Sequence, residues 1–274
     1  MFQDKVWWIT GASSGLGASM ARSFGAAGAR LVLSGRNEAA LRDVAASCGA
    51  ECLALPFDTV DFDALPGIVE GAWTWAGGQG VFGLVNNAGI SQRSLAVDTV
   101  LDVYRRIIDV DLLAPIALTQ LVLPRMAAAG AGHIVAISSV AGLLGVPLRS
   151  AYSAAKHGLV GYHDSVRAET DDLGIKVLVV APGSVRTNVS RNALGATGEA
   201  RGFSDTAIEQ VMDPDVAANR IRDAVAGGIR ELVLAEGPEA SMVALRRSDP
   251  GKLFDLAAKL VADGYAVKLG ATKR

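Results

Sequence analysis

Short aliphatic or β-branched runs alternate along this chain with longer segments whose apolar residues recur at helical spacing. The runs predict strands at 5–10, 30–34, 51–57, 83–86, 133–138, 176–181 and 231–235. The periodic segments predict helices at 15–27, 38–47, 61–76, 99–128, 151–172 and 214–227. Val177-Leu178-Val179-Val180 is apolar without alternation, as expected of a strand covered on both faces. Parallel neighbours need crossovers of this length, and such crossovers are right-handed. The pattern predicts the α/β class: one domain over residues 1–274, a doubly wound seven-stranded parallel sheet with helices on both faces. Two stretches break the alternation. Residues 186–213 are rich in Gly, Asn, Arg, Ser and Thr and follow a strand end, where a mobile substrate loop is expected. Residues 237–274 carry an apolar stripe of Leu253, Leu256, Leu260 and Val261, expected to pack on the core or on a partner subunit.

Composition narrows the class. Half of the 274 residues are apolar and 20% are charged, enough for a large core and too apolar for global disorder. A net charge of −2 without a long basic run argues against nucleic acid as a partner. Strand-like Val6-Trp7-Trp8-Ile9 follows Met1 with no basic start and apolar h-region, so no secretory signal is read, and the cytoplasm is the expected compartment. Without a run approaching 18 uninterrupted apolar residues, no membrane span is expected. Cys48 and Cys52 are too few for a disulfide framework, and no His, Cys, Asp or Glu grouping has metal-ligand spacing, so no metal is expected.

The first candidate chemistry lies where the first strand meets the first helix. Thr10-Gly11-Ala12-Ser13-Ser14-Gly15-Leu16-Gly17 would gather backbone N–H groups and a positive helix end at one point, suited to a pyrophosphate. Gly11 would permit the turn, Gly15 the approach of phosphate, and Gly17 the packing of helix on strand. The spacing is G-x3-G-x-G, so the G-x-G-x-x-G fingerprint is not what is matched. The second strand ends Leu33-Ser34-Gly35-Arg36, with no carboxylate for a ribose 2′-hydroxyl; Arg36 suits a 2′-phosphate, implying NADP(H) over NAD(H). Asp58 could accept from an adenine amino group. Asn86-Asn87-Ala88-Gly89 offers small residues and amides beside an adenosine, and Asn86 could equally brace adjacent strands.

The second constellation is Tyr152-Ser153-Ala154-Ala155-Lys156, with Ser139 placed 13 residues before the tyrosine. Residues four apart on a helix share a face, so Tyr152 and Lys156 can enter one cleft. A free phenol ionises near pH ~10, and an ammonium at ~4 Å supplies about 4 kcal/mol toward its ionisation at an effective dielectric of ~20. Ser139 would donate to a substrate oxygen as charge develops. Pro182-Gly183, ending the sixth strand, would let the following backbone groups, with Val185 and Thr187, fix a nicotinamide carboxamide. His133, His157 and His163 have no partner in sequence and are not assigned catalysis.

In order and spacing, Thr10–Gly17, Asn86–Gly89, Ser139, Tyr152-x3-Lys156 and Pro182-Gly183-Ser184-Val185-Arg186-Thr187 resemble the short-chain dehydrogenase/reductase family, in its roughly 250-residue branch, over about residues 3–235. Residues 87–94 and 143–150 are worded most like the member 7 and steroid-type carbonyl reductases of that family. The resemblance implies a Rossmann-type sheet, an oxidoreductase, and a dinucleotide held by Gly11, Ser13, Ser14, Gly15, Leu16, Gly17, Arg36, Asp58, Asn87, Ala88, Gly89, Tyr152, Lys156, Pro182, Gly183, Val185 and Thr187. It further implies that Lys156 holds the nicotinamide ribose and that the chain pairs as a homodimer or homotetramer. The sequence departs from the family at Asp111, where asparagine usually stands and contributes its main-chain carbonyl to a proton relay. Pro115, with no N–H, would leave the Asp111 carbonyl free for that relay, and the carboxylate would act on Tyr152 if close.

Ile90, Val140, Leu144 and Val146 are the expected substrate lining, to which the 186–213 loop adds Arg191, Asn192, Leu194 and Phe203, suiting a hydrophobic ketone or secondary alcohol. Two other functions share parts of this pattern. A non-catalytic NADP(H)-binding regulator would have no use for an acidified phenol beside Ser139. A sugar-nucleotide epimerase would carry a larger C-terminal substrate region.

Overall fold

The computed structural model describes residues 1–204 and 212–271. Seven strands form one parallel sheet in the order β3-β2-β1-β4-β5-β6-β7. They are β1 (Val6–Thr10), β2 (Arg30–Gly35), β3 (Cys52–Pro56), β4 (Val81–Asn86), β5 (Gly132–Ile137), β6 (Ile175–Pro182) and β7 (Glu231–Leu234). Among the described residues ten α-helices surround them: α1 (Gly15–Ala26), α2 (Glu38–Ser47), α3 (Leu65–Ala76), α4 (Leu101–Ile108), α5 (Ala114–Ala129), α6 (Ser150–Thr170), α7 (Pro214–Ala226), α8 (Gly237–Ser248), α9 (Pro250–Ala262) and α10 (Tyr265–Lys268). The order runs outward from β1 to β3, then reverses to β4 and beyond. The crevice at the carboxyl ends of β1 and β4 is where such sheets bind ligands.

Alternation along β1 divides the core. Trp7 and Ile9 pack with Met20 and Phe24 of α1 and Ile221 of α7 on one face. Val6 and Trp8 pack with Val69 of α3, Leu118 and Val122 of α5, and Val166 of α6 on the other. Trp7 sits opposite Gly83 across the β1–β4 pair, and a Cβ on Gly83 would lie 2.3 Å from the indole. The glycine is the space the tryptophan occupies.

Two helical expectations change. The helix expected at 61–76 begins at Leu65, because Pro66 presets the first turn and residues 61–64 form a turn of their own. The helix expected at 99–128 is α4, a π-helical turn over Asp109–Leu113, and α5. In that turn the Ala114 N–H reaches Asp109, widening the helix just before Pro115, which cannot donate. By length and composition the stretch Leu101–Ala129 could cross a bilayer. Here Leu118, Val122 and Met126 bury one side of it under the sheet.

The described part of the C-terminal extension forms three helices, α8, α9 and α10. Leu253 of its stripe is buried, whereas Leu256 and Leu260 stay exposed. The described part of the 186–213 loop is anchored: Leu194 donates its N–H to Ser91 and accepts from the Arg93 N–H. Residues 205–211 of that loop and 272–274 of the extension lie outside the described residues.

Candidate active site

The turn after β1 leads into α1 with backbone that only glycine takes readily: φ is +64° at Gly11 and +54° at Gly15. A Cβ on Gly17 would lie 2.2 Å from the Gly11 carbonyl oxygen, so the helix start packs directly on the turn. Ser14 N-caps α1 without a side-chain hydrogen bond to it, which leaves first-turn N–H groups facing the crevice. Thr10 ties the turn to β4. Its hydroxyl donates to the Val85 carbonyl and accepts from the N–H groups of Asn87 and Ala88. Asn87 Nδ2 donates to the Thr10 carbonyl at 2.8 Å. Asn86 donates to Thr119 at 2.9 Å and is buried, so it braces β4 against α5 rather than meeting a ligand.

From this turn a cavity of about 1000 Å³ runs across the carboxyl ends of the strands. Gly11, Ser13, Ser14, Gly15, Leu16, Gly17, Arg36 and Asp58 line one end, and Asn87, Ala88, Gly89 and Ile90 its middle. Asp111, Ser139, Tyr152 and Lys156 line the other end, with Pro182, Gly183, Val185 and Thr187 beside them. Thr187 closes over Gly15, where a Cβ would meet its side chain at 3.1 Å. Arg36 is exposed and makes no ion pair or hydrogen bond with another described residue.

Tyr152 and Lys156 stand on successive turns of α6, with the ammonium 5.6 Å from the phenol ring centre. Lys156 is buried and donates to the Ile137 carbonyl at 3.0 Å. Asp111 Oδ2 lies 3.2 Å from the same nitrogen, and Oδ1 accepts from the Ile90 N–H at 2.8 Å. Oδ2 makes no directed hydrogen bond, so the Lys156 contact is an ion pair by proximity. Burial pushes the Asp111 carboxyl up, opposed by the charge of Lys156. Burial works against the Lys156 ammonium, but Asp111 and Tyr152 outweigh it and hold its pKa above the ordinary lysine value. Gly89 leaves room for the pair: a Cβ there would lie 3.1 Å from Asp111 Oδ2. The carboxylate, treated in sequence as an accessory to a main-chain carbonyl, is thus the direct counter-ion of Lys156.

Ser139 follows β5 and faces the cavity. Its hydroxyl donates to the Pro182 carbonyl at 3.3 Å and accepts from the Ala141 N–H. Ser138 points the other way, donating to the Lys156 carbonyl.

The expected substrate lining needs correction. Ile90 lines the cavity, but Val140, Leu144 and Val146 do not. Val140 opens a 3-10 turn that turns inward, where it and Leu144 are buried in packing, and the Val146 N–H is engaged by Ser153. The apolar wall comes from the loop after β6: Leu194, expected there with Asn192, lines the cavity together with Val189 and Ala200, whereas Arg191 and Phe203 do not line it. Sequence reasoning also missed Arg105 and Arg106 at the rim; the basic pair on an amphipathic helix was the available signal. Of the histidines, His157 is exposed with Nδ1 at the Ser153 carbonyl, His163 is buried, and His133 packs among Trp7 and Phe82. Among the described residues, no group of three or more His, Cys, Asp or Glu could hold a metal ion.

Residues 5–197 match the family described as short chain dehydrogenase. The dehydrogenase/reductase SDR family member 7B of Bos taurus is 40% identical over 265 residues, covering 93% of this chain and 81% of that protein. A metagenomic short-chain oxidoreductase solved in complex with NADP is 32% identical with a TM-score of 0.68, covering 84% of this chain and 96% of that one. A Burkholderia phymatum short chain dehydrogenase/reductase, solved in complex with NAD, shares the fold at 24% identity and a TM-score of 0.82, covering 90% and 94%. The sheet order, the glycine turn at its switch point and this breadth of likeness agree: the chain belongs to the short-chain dehydrogenase/reductase family and is an NAD(P)-dependent oxidoreductase.

Proposed function

We propose that this enzyme uses NADP(H) to interconvert hydrophobic ketones and secondary alcohols, with Tyr152 moving the proton. The observation that carries this reading is one cavity lined by the glycine turn at one end and by Ser139, Tyr152 and Lys156 at the other. The residues fit a dinucleotide: glycines that let the turn pack closely against β4, α1 and Thr187, uncapped N–H groups at the start of α1, and an exposed guanidinium where β2 ends. Arg36, with no acidic residue among Ser34, Gly35 and Asn37, favours a 2′-phosphate, although relatives of this fold were solved with NAD as well as NADP.

When bound, the nicotinamide supplies or accepts the hydride at the carbinol carbon. Tyr152 gives the carbonyl oxygen its proton in reduction and takes it back in oxidation. The Lys156 ammonium sits close enough to the ring to favour the phenolate as it forms. The Ser139 hydroxyl, released from its 3.3 Å bond to the Pro182 carbonyl, donates to the same substrate oxygen. Ile90, Leu194 and Val189 offer the substrate an apolar wall, which selects against highly phosphorylated compounds. Following the habit of the family, the enzyme is proposed to work as a homodimer or homotetramer.

The test is NADPH oxidation across a panel of apolar ketones. Tyr152→Phe should lower kcat by about 10²–10⁴-fold with cofactor binding retained. Arg36→Ala should raise the KM for NADPH about tenfold and leave that for NADH near its starting value. Full turnover in the phenylalanine variant would sink the assignment of Tyr152, and equal losses with both cofactors would sink that of Arg36.

A further inference from the structure

The extension beyond β7, expected only to pack on the core or a partner subunit, reaches the edge of the active site through Glu239. The turn Pro182-Gly183-Ser184-Val185 leaves β6 along the cavity, and its inner side holds the Ser139 hydroxyl through the Pro182 carbonyl. Its outer side is gripped by Glu239 of α8. Ser184 donates its N–H to Glu239 Oε2 at 2.8 Å and its hydroxyl to Oε1 at 2.7 Å. Both carboxylate oxygens are therefore committed to one residue of the turn.

The approach depends on Gly183, where a Cβ would lie 2.1 Å from Glu239 Oε2. The Gly183 N–H in turn donates to the Leu234 carbonyl at 2.8 Å, fixing the turn to the end of β7. Glu239 itself has little freedom. It lies in the first turn of α8, next to Pro238, where the helix dipole favours a carboxylate. The far end of the extension is tied to the loop that follows β6, since Arg201 donates to the Leu269 carbonyl at 2.6 Å. A charged acceptor binding two donors on one residue fixes position and orientation together.

We propose that Glu239 is a positioning residue of the reaction: by holding Ser184 with both carboxylate oxygens, it sets where the Pro182–Val185 turn meets the nicotinamide end of the cofactor. This rests on the reading that the cavity takes a nicotinamide dinucleotide, and it assigns the C-terminal extension a part in hydride transfer. The phosphate end, held by the glycine turn, lies outside its reach.

The experiment compares two ligands by calorimetry: the oxidised dinucleotide that wild type binds more tightly, and the matching fragment without nicotinamide (2′-phospho-ADP-ribose or ADP-ribose). Glu239→Ala should weaken the dinucleotide about tenfold, as expected for losing hydrogen bonds to a charged acceptor, and change fragment affinity less than about twofold. Its kcat should fall by about the same tenfold or more. Glu239→Gln, which keeps one acceptor oxygen, and Ser184→Ala, which removes only the hydroxyl bond, should fall in between, and both serve if the alanine variant does not fold. Equal weakening of both ligands would reduce Glu239 to general support, and no change in either would remove it from the site; each overturns the proposal. Wild type that binds neither ligand would overturn the dinucleotide reading itself, and this proposal with it.

Discussion

Replacing Asp111 by asparagine isolates one charge at the centre of the site. The substitution keeps the side-chain shape and an oxygen for the Ile90 N–H, and removes a negative charge 3.2 Å from the Lys156 ammonium. At an effective dielectric of about 20, unit charges at 3.2 Å attract by about 5 kcal/mol. One pH unit corresponds to about 1.4 kcal/mol, so the ceiling on any shift is between about three and four units. Reorientation of the surrounding dipoles once the carboxylate is gone offsets part of this and leaves about one to two units. The sign follows from Lys156. Burial opposes its charge, the Asp111 carboxylate more than compensates, and its pKa is raised. Without the carboxylate, the group around Lys156 gives up a proton more easily. Ketone reduction needs that proton in place, so the alkaline limb of kcat/KM against pH should move down by about one to two units. The limb reports the coupled residues together, not one of them. Cofactor affinity, measured by fluorescence titration, should change less than about threefold, because the site proposed for the phosphates is the glycine turn, away from Asp111. An alkaline limb that stays in place, or moves up, would refute the electrostatic reasoning.

Two further predictions concern the scaffold. Gly83→Ala should destabilise the fold by about 1–3 kcal/mol in denaturant unfolding, since its Cβ would meet the buried Trp7 ring. Gly145→Ala, with nothing within 4 Å of the added carbon, should be nearly neutral, and equal effects at the two sites would discount the packing argument. Burial holds His163 down to about 4, below the ~6.5 of an exposed imidazole. A depressed folded value means its contribution is full above ~6.5 and is lost as pH falls toward about 4, roughly 3 kcal/mol in all. His163→Gln should therefore lose less stability between pH 7 and 4.5 than wild type, as read from Tm; parallel losses would rule this source out.

What the sequence made legible was local. The glycine turn, Ser139 and Tyr152-x3-Lys156 each declare themselves within a few residues, because a turn, a strand end and one helical face are short-range geometries. The seven strands were legible for the same reason, since the runs that mark them also bury them. Apolar character near Ser139 misled, however: Val140 and Leu144 follow that serine closely, yet the 3-10 turn commits them to the core, while Leu194, read from the loop after β6, does reach the cavity wall. Hydrophobicity says that a residue leaves water, not which apolar space it enters. The polar pairs were hidden for a related reason. Asp111 meets Lys156 only because the π turn ahead of Pro115 and the exit of β4 bring the carboxylate under Gly89, and Glu239 meets Ser184 across 55 residues of chain. In both cases a glycine without chemistry of its own, Gly89 or Gly183, makes the close approach possible. A carboxylate within about 3 Å of its partner needs somewhere for the intervening backbone to be thin, so glycines beside a catalytic motif mark where buried charges can reach it.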